Sequence, residues 1–153
     1  MVLRVTDLPI DERAKGLLEQ EGFKQLYPPQ ELAVKSGLLE GENLVVASPT
    51  ASGKTLIAML AAIRHFSEKL GKTVYLTPLR ALASEKYQEF KLMEKLGAKV
   101  RISTGDYDTP GYELRDADVI ITTNEKMDSL LRHSSPWIKE ISLIVADEIH
   151  LIG

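Results

Sequence analysis

Residues 48–55, with the sequence SPTASGKT, have the residue types of a phosphate-binding loop. They follow the apolar run 44–47 and precede a long helical pattern. Small side chains let successive backbone N–H groups surround phosphate oxygens, and the amino end of the helix adds partial positive charge. Lys54 is expected to contact the outer phosphates during catalysis, and Thr55 to ligate Mg²⁺. The predicted nucleotide-binding residues of this loop are Ser48, Pro49, Thr50, Ala51, Ser52, Gly53, Lys54 and Thr55.

One position departs from the general pattern of such loops, because Ser48 stands where glycine is usual. The alternative interpretation is an ordinary strand-to-helix turn with a solvated Lys54. A predicted strand before the loop, a predicted helix after it and the small residues between them favour phosphate binding. A magnesium nucleotide is therefore the expected ligand.

An acidic pair, Asp147 and Glu148, follows the apolar run 143–146 and is completed by Ile149 and His150. Carboxylates that end a buried parallel strand lie at the edge of the sheet where such folds bind ligands. Asp147 is the predicted Mg²⁺ ligand, and Glu148 the group that polarises the attacking water. His150 is a catalytic candidate and not a metal ligand; its alternative is a partly buried histidine at a strand end. For the acidic pair the alternative is an exposed turn.

The elements that must position these residues alternate between helix and strand. The N-terminal part predicts a helix over 11–21, closed by Gly22, and a second helix that starts at Pro28. Helical spacing predicts one apolar stripe on a single face of a further helix, formed by Ala83, Tyr87, Phe90 and Met93. Strands are predicted by short runs rich in Val, Ile and Leu at 43–47, 73–77, 99–103, 118–122 and 143–146. This alternation predicts an α/β fold, with a parallel sheet flanked by helices and a short helical prelude.

Composition excludes several classes of protein. The chain of 153 residues is the size of one domain, and its 44% hydrophobic and 27% charged residues are typical of a globular protein rather than a disordered one. There are no cysteines, which excludes disulfides, thiolate zinc sites and a cysteine nucleophile and favours a cytoplasmic location. No apolar run is long enough to span a membrane. The net charge of −3 is not that of a dedicated nucleic-acid-binding domain, so any contact with DNA or RNA must use a local row of donors or the help of other domains.

The loop SPTASGKT and the box DEIH together resemble the DExH-box helicases of superfamily 2. Within the Ski-like branch, residues 23–30, 104–108, 125–133 and 137–139 resemble archaeal DNA helicases of the Hjm and HelQ type. The resemblance covers nearly the whole chain. It implies a RecA-like P-loop NTPase fold, ATP and Mg²⁺ as cofactors, and an ATP-driven motor that translocates 3′ to 5′ on single-stranded or forked DNA, with a role in fork repair and restart.

The same resemblance assigns nucleic-acid contacts to three segments. Residues 77–86 are similar to the first strand-contacting motif of the family, and 104–106 and 122–126 are similar to those that follow. Each segment comes just after a predicted strand, where backbone amides, hydroxyls and helix starts could hold phosphates. For the first segment, the alternative is a proline-initiated helix with a solvated arginine. The predicted contacts are Pro78, Arg80, Ala81, Thr104, Gly105, Thr123, Glu125 and Lys126.

Gln30 lies in a segment that resembles the family's adenine-reading motif upstream of the phosphate loop. Its amide can both donate to and accept from an adenine edge, which would select ATP. The alternative is a helix-capping polar side chain.

The resemblance also implies a division of the chain. Residues 1–40 are predicted to form a helical prelude with the adenine-reading segment, within the same folding unit as the rest. Residues 41–153 are predicted to be the first RecA-like ATP-binding domain, truncated after the DEIH box. Family members continue into a second RecA-like domain with arginine fingers, so the expected partners include those C-terminal domains of the same protein, and no membrane.

Three other functions are compatible with parts of the pattern. An RNA helicase is the nearest, because phosphate contacts do not report the sugar. A P-loop small-molecule kinase would use the same loop but leaves Gln30 and the strand-end segments without a role. A non-catalytic nucleotide-binding module would tolerate the loss of Glu148, and the presence of this residue argues against it.

Overall fold

The structure, a computed structural model, describes residues 3–42, 44, 52–105 and 114–147. The chain divides into two compact units, residues 1–67 and 68–153. Four of the five residues in the predicted strand 43–47 lie outside the described residues, as do the loop residues 48–51 and the end of the chain from Glu148 onwards. Within the described ranges, no helix is long and apolar enough to cross a membrane.

The first unit is helical where it is described. Its three helices are α1 (Glu12–Gln20), α2 (Pro28–Lys35) and α3 (Ser52–Ser67), with 3₁₀ turns at Val5–Asp7 and Leu38–Glu40. The predicted helix over 11–21 is confirmed, and Gly22 ends it with a φ of 93°, a left-handed conformation that favours glycine. The predicted start of α2 at Pro28 is also confirmed, because a first-turn proline has no N–H that the helix needs.

Helix α3 carries an uninterrupted apolar run at 56–63, and all eight of its side chains are buried. A helix that is apolar on every side belongs inside a protein rather than on its surface. The run ends at the half-buried Arg64. The first turn of α3, Ser52 to Thr55, directly precedes this buried run.

The second unit contains a parallel sheet in the order β2-β3-β1-β4. Each strand overlaps its predicted run to within two residues at either end, so the four predictions in this unit are confirmed. The strands are β1 (Lys72–Thr77), β2 (Val100–Ser103), β3 (Val119–Thr123) and β4 (Ile141–Ala146). Because all four run the same way, their carboxyl ends share one edge of the sheet.

Helical segments connect these strands. They are α4 (Arg80–Phe90), α5 (Asn124–Arg132) and 3₁₀ segments at Lys91–Leu96 and Pro136–Glu140. The predicted apolar stripe is confirmed for Ala83 and Phe90, which are fully buried, while Tyr87 is half-buried. Met93 is also fully buried, but it lies in the 3₁₀ segment that follows α4.

One core cluster in this unit joins the sheet to the segments that connect its strands. Val74 of β1 and Ile120 of β3 pack with Leu130 of α5 and with Trp137 of the 3₁₀ segment at Pro136–Glu140. On β4, at one end of the strand order, Ile144 is exposed. The side chains of β3 are all buried, whereas those of β4 alternate between half-buried and exposed.

Candidate functional site

The structure describes the predicted phosphate loop from Ser52, where α3 begins. Gly53, Lys54 and Thr55 lie in the first turn of α3, and the Lys54 and Thr55 side chains are half-buried. The first N–H groups of an α-helix have no intrahelical acceptor, so this turn presents donors suited to an anion. Ser48, Pro49, Thr50 and Ala51 lie outside the described residues.

Gln30 is fixed against that turn. Its side chain is only 2% exposed; its Oε1 accepts a hydrogen bond from the Tyr27 backbone N–H at 2.7 Å, and its Nε2 donates to the Gly53 carbonyl at 3.2 Å. The first bond is the helix-capping interaction that was the alternative to adenine reading. Gln30 therefore connects the start of α2 with the start of α3, and its contact with adenine stays a prediction.

Asp147 is the first residue beyond β4 and is held by β1. Its backbone N–H donates to the Leu76 carbonyl at 3.0 Å, which extends the pairing of the two strands. Its Oδ2 accepts a hydrogen bond from the Tyr75 hydroxyl at 2.7 Å. The half-buried carboxylate thus stands at the carboxyl edge, where the sequence predicts it. Glu148 and His150 lie outside the described residues.

The described metal candidates, Thr55 and Asp147, both offer oxygen atoms. In the parts of the chain that the structure describes, no group of three or more His, Asp or Glu side chains could hold a metal ion by itself. Mg²⁺ does not require such a cage, because it binds through one or two carboxylates, several waters and substrate phosphates. The donor chemistry of these two residues therefore fits Mg²⁺ accompanied by a nucleotide.

The segment after β1 presents an arginine to solvent. The fully buried Thr77 donates from its hydroxyl to the Leu79 carbonyl at 3.0 Å, which stabilises the turn into α4. Pro78 is half-buried, and Arg80 and Ala81, in the first turn of α4, are exposed. The predicted contact Arg80 is therefore accessible to a strand.

The segments after β2 and β3 are joined by a buried hydroxyl. Thr122 donates to the Ser103 carbonyl at 2.6 Å, so the ends of the two strands keep a fixed spacing. Just beyond Ser103, Thr104 is half-buried and Gly105 is exposed. This part of the edge presents backbone rather than long side chains.

Three further predicted contacts occupy the start of α5, and two of them are buried. Thr123 is 3% exposed, and its Oγ1 accepts a hydrogen bond from the Lys126 backbone N–H at 3.2 Å, which caps the helix. The Lys126 side chain is 1% exposed, whereas Glu125 is exposed. A threonine directly before a helical run is a usual N-cap, and this pattern in the sequence could have indicated the capping role. All three contacts with nucleic acid stay predictions.

Sequence reasoning missed Tyr75. A tyrosine within an apolar run is typical of a strand core, and nothing in the spacing of residues 75 and 147 connects them. The pairing of β1 with β4 brings them together.

The second unit has a parallel sheet with helical crossovers and a carboxylate at the end of one strand, which is the arrangement of the RecA-like class of domain. In the first unit, α3 begins at Ser52 and carries Gly-Lys-Thr in its first turn. Residues 27–153 match the family model described as "DEAD/DEAH box helicase", and the chain belongs to that family. This membership confirms the predicted family and fold class.

Among curated proteins, the chain is similar to the ATP-dependent DNA helicases Hel308 of Thermococcus kodakarensis and Pyrococcus horikoshii. It is 54% identical to each over 151 residues, which are 99% of this chain. The same residues are 13% of the first relative and 21% of the second, so the chain spans about a fifth or less of their length.

Solved structures show the same fold. The DUF1998 helicase MrfA bound to DNA and AMPPNP superposes with a TM-score of 0.79 at 29% identity, over 98% of this chain and 22% of that one. A hypothetical ATP-dependent RNA helicase from Sulfolobus tokodaii gives 0.78 at 23% identity, over 94% and 43% of the two chains. The second likeness supports the fold alone.

Proposed function

We propose that the chain is the first ATP-binding motor domain of an ATP-dependent DNA helicase. The observation that carries this proposal is the 54% identity over 151 residues to Hel308 helicases, because it extends across the phosphate loop, the strand ends and the acidic box together. Residues 1–40 act as a helical prelude and 41–153 as the RecA-like domain. Further helicase domains complete the motor, which moves 3′ to 5′ on single-stranded DNA at forks in the cytoplasm.

Nucleotide binding is assigned to residues of the first unit. Residues 48–55 surround the phosphates of ATP, and Lys54 neutralises charge on the outer ones. Gln30 supports this assignment through its hydrogen bond to the Gly53 carbonyl, which ties the segment upstream of the loop to the turn that would carry the phosphates. Selection of adenine by the same amide requires donors and acceptors beyond the two bonds it makes, and a carboxamide has them.

Hydrolysis is assigned to the acidic box. Thr55 and Asp147 supply oxygen ligands to Mg²⁺, which when bound offsets negative charge on the transferring phosphoryl group. Glu148 takes the proton of the attacking water, and His150 belongs to the same catalytic segment. The support is the position of Asp147, which the Leu76 carbonyl and the Tyr75 hydroxyl hold at the carboxyl edge.

Strand binding is assigned to the segments that follow β1, β2 and β3. Arg80, Ala81 and Gly105 are exposed, which supports direct contact with a phosphate backbone. Glu125 is also exposed, but its carboxylate repels phosphate, so its backbone N–H in the first turn of α5 is the group that this proposal assigns to the contact. Pro78 and Thr104 are half-buried and shape the same edge. Thr123 and Lys126 are buried side chains, so in this proposal they act through the start of α5 that they form.

A chimera tests the proposal, with this chain in place of the matching 151 residues of a Hel308 helicase. We expect single-stranded DNA to stimulate its ATPase and a duplex with a 3′ tail to be unwound in preference to one with a 5′ tail. The control chimera with Lys54→Ala should lose both activities. Stimulation by RNA alone would replace the DNA assignment with the RNA helicase alternative, and full activity of the Lys54→Ala chimera would contradict the nucleotide site.

A further inference from the structure

The Tyr75 hydroxyl donates a hydrogen bond to the Asp147 carboxylate across two strands. In the parallel pairing of β1 with β4, Tyr75 is opposite Val145, so Asp147 is two residues further along. Side chains two residues apart on an extended chain point to the same face. The O–O distance of 2.7 Å between the hydroxyl and Oδ2 is that of a good hydrogen bond to a carboxylate.

Tyr75 and Asp147 are each held in place by a further contact. The Tyr75 side chain is 2% exposed, and its ring packs at 59° against the fully buried Phe90 of α4, with 5.3 Å between the ring centroids. Asp147 is tied at its backbone N–H to the Leu76 carbonyl. A rotation of the carboxylate away from its present direction would therefore break the bond to Tyr75, because the buried ring cannot follow it.

We propose that Tyr75 is a positioning residue that orients the Asp147 carboxylate toward Mg²⁺, an inference that rests on the proposed function. A phenol is suited to this task because it is a neutral donor. A lysine or arginine in its place would orient the carboxylate equally well but would cancel the negative charge that attracts the metal. The hydroxyl holds Oδ2 in place and, because it is neutral, does not offset the negative charge of the carboxylate. Partners of metal ligands act in this way in many sites, and their loss weakens metal binding.

The test is the Mg²⁺ dependence of nucleotide binding, measured with a fluorescent ATP analogue on the chain and its Tyr75→Phe variant. Phenylalanine keeps the ring against Phe90 and removes only the hydroxyl. We expect the Mg²⁺ concentration at half-maximal binding to rise about tenfold. Affinity for the analogue in EDTA should be unchanged. The matched control is Tyr87→Phe, which removes a hydroxyl from a half-buried ring of α4 and should leave the Mg²⁺ midpoint unchanged.

Asp147→Asn separates failure of this inference from failure of the proposed function. If Asp147→Asn raises the Mg²⁺ midpoint and Tyr75→Phe does not, Tyr75 has only a structural role and the inference is overturned. If neither variant differs from the unmodified chain, or if Mg²⁺ does not affect nucleotide binding at all, the metal assignment of Asp147 in the proposed function is wrong, and the inference falls with it.

A second measurement does not depend on the stability of Tyr75→Phe. It uses a chain in which 3-fluorotyrosine replaces tyrosine. The fluorine resonance at position 75 should shift when Mg²⁺ is added to the nucleotide-bound chain, because the hydroxyl of this ring is hydrogen-bonded to the carboxylate that would bind the metal. The resonance at position 87 should not shift. A constant resonance at position 75 would overturn the inference.

Discussion

The two ends of β1 hold buried polar side chains in different ways. At the amino end, Lys72 is buried, and its Nζ donates to the Arg115 and Ala117 carbonyls at 2.7 and 2.6 Å and lies 3.6 Å from a Glu140 carboxylate oxygen. Toward the carboxyl end, Tyr75 donates to the side chain of Asp147. Lys72 therefore bonds to backbone carbonyls, whereas Tyr75 bonds to the carboxylate of a side chain.

The two ends differ because a backbone carbonyl and a carboxylate have different capacities once each has accepted a hydrogen bond. A buried carbonyl needs a donor, and Lys72 satisfies two, so its contribution is to the free energy of unfolding. A carboxylate that accepts one hydrogen bond from a neutral phenol keeps its charge and can still act on a ligand. The comparison indicates that the amino edge of this sheet uses its buried donor for stability, whereas the donor at the carboxyl edge holds a side chain to which the proposed function assigns chemistry. Parallel sheets bind ligands at this same edge.

The largest expected effect separates the two ends of β4. In the helicase chimera, Glu148→Gln should lower the ATPase rate by about 10²- to 10⁴-fold, because the amide cannot take a proton from water. ATP affinity should be kept. The control is Glu140→Gln, just before β4 at the amino edge, which should leave the rate unchanged. Steady-state ATPase and nucleotide binding are the measurements, and equal rates for the two variants would break the comparison.

The second prediction concerns stability at the amino edge. Lys72→Met should lower the free energy of unfolding by about 2–4 kcal/mol, because the buried Ala117 carbonyl and the partly buried Arg115 carbonyl lose a charged donor. Urea denaturation of the chain measures it. Lys139→Met, at an exposed lysine of the neighbouring 3₁₀ segment, is the matched control and should be near neutral. If Lys72→Met instead weakened nucleotide binding and left the free energy of unfolding unchanged, the amino edge would contribute to ligand binding, which would contradict the comparison.

Most of the fold of the second unit could be predicted from sequence, because its strands are short Val, Ile and Leu runs with clear boundaries. For β3, the prediction of 118–122 differs from the observed Val119–Thr123 by one residue at each end. The order β2-β3-β1-β4 could not be predicted in this way, since it depends on pairings between residues from 19 to 70 positions apart. The contact between Tyr75 and Asp147 depends on that order.

The candidate site shows the same limit at single residues. Asp147 and Arg80 lie where their motifs predict them, at a strand end and at an exposed helix start. Lys126 differs, because a lysine is expected at the surface and this one is buried. The sequence gives the type of a side chain and its approximate element, but burial depends on which neighbours the tertiary fold supplies.

The third prediction sharpens the comparison at the carboxyl edge. Arg80→Ala in the chimera should weaken single-stranded DNA binding by a similar few-fold for all sequences and reduce the salt slope by about 0.7, as expected for one lost phosphate contact. Fluorescence anisotropy at several salt concentrations measures both. Arg132→Ala, at the far end of α5, is the control and should not change the slope. An unchanged salt slope for Arg80→Ala would show that Arg80 makes no phosphate contact and is a solvated residue of the helix.

The smallest effect is expected at an exposed ion pair beside the amino ends of β2 and β3. The Lys99 ammonium donates to Asp116 Oδ2 at 3.3 Å and holds the pKa of the Asp116 carboxyl below its ordinary value. A lowered folded-state pKa stabilises the fold above the unfolded-state value, and this contribution is lost as the pH falls through the folded-state value. Both side chains are more than half exposed, so water and salt screen the pair. Asp116→Asn should therefore lower the thermal midpoint barely measurably at pH 7, and the difference from the unmodified chain should shrink as the pH falls through the folded-state pKa of Asp116. A loss at pH 7 as large as that of Lys72→Met would show that exposed charges, and not buried donors alone, hold this edge of the sheet.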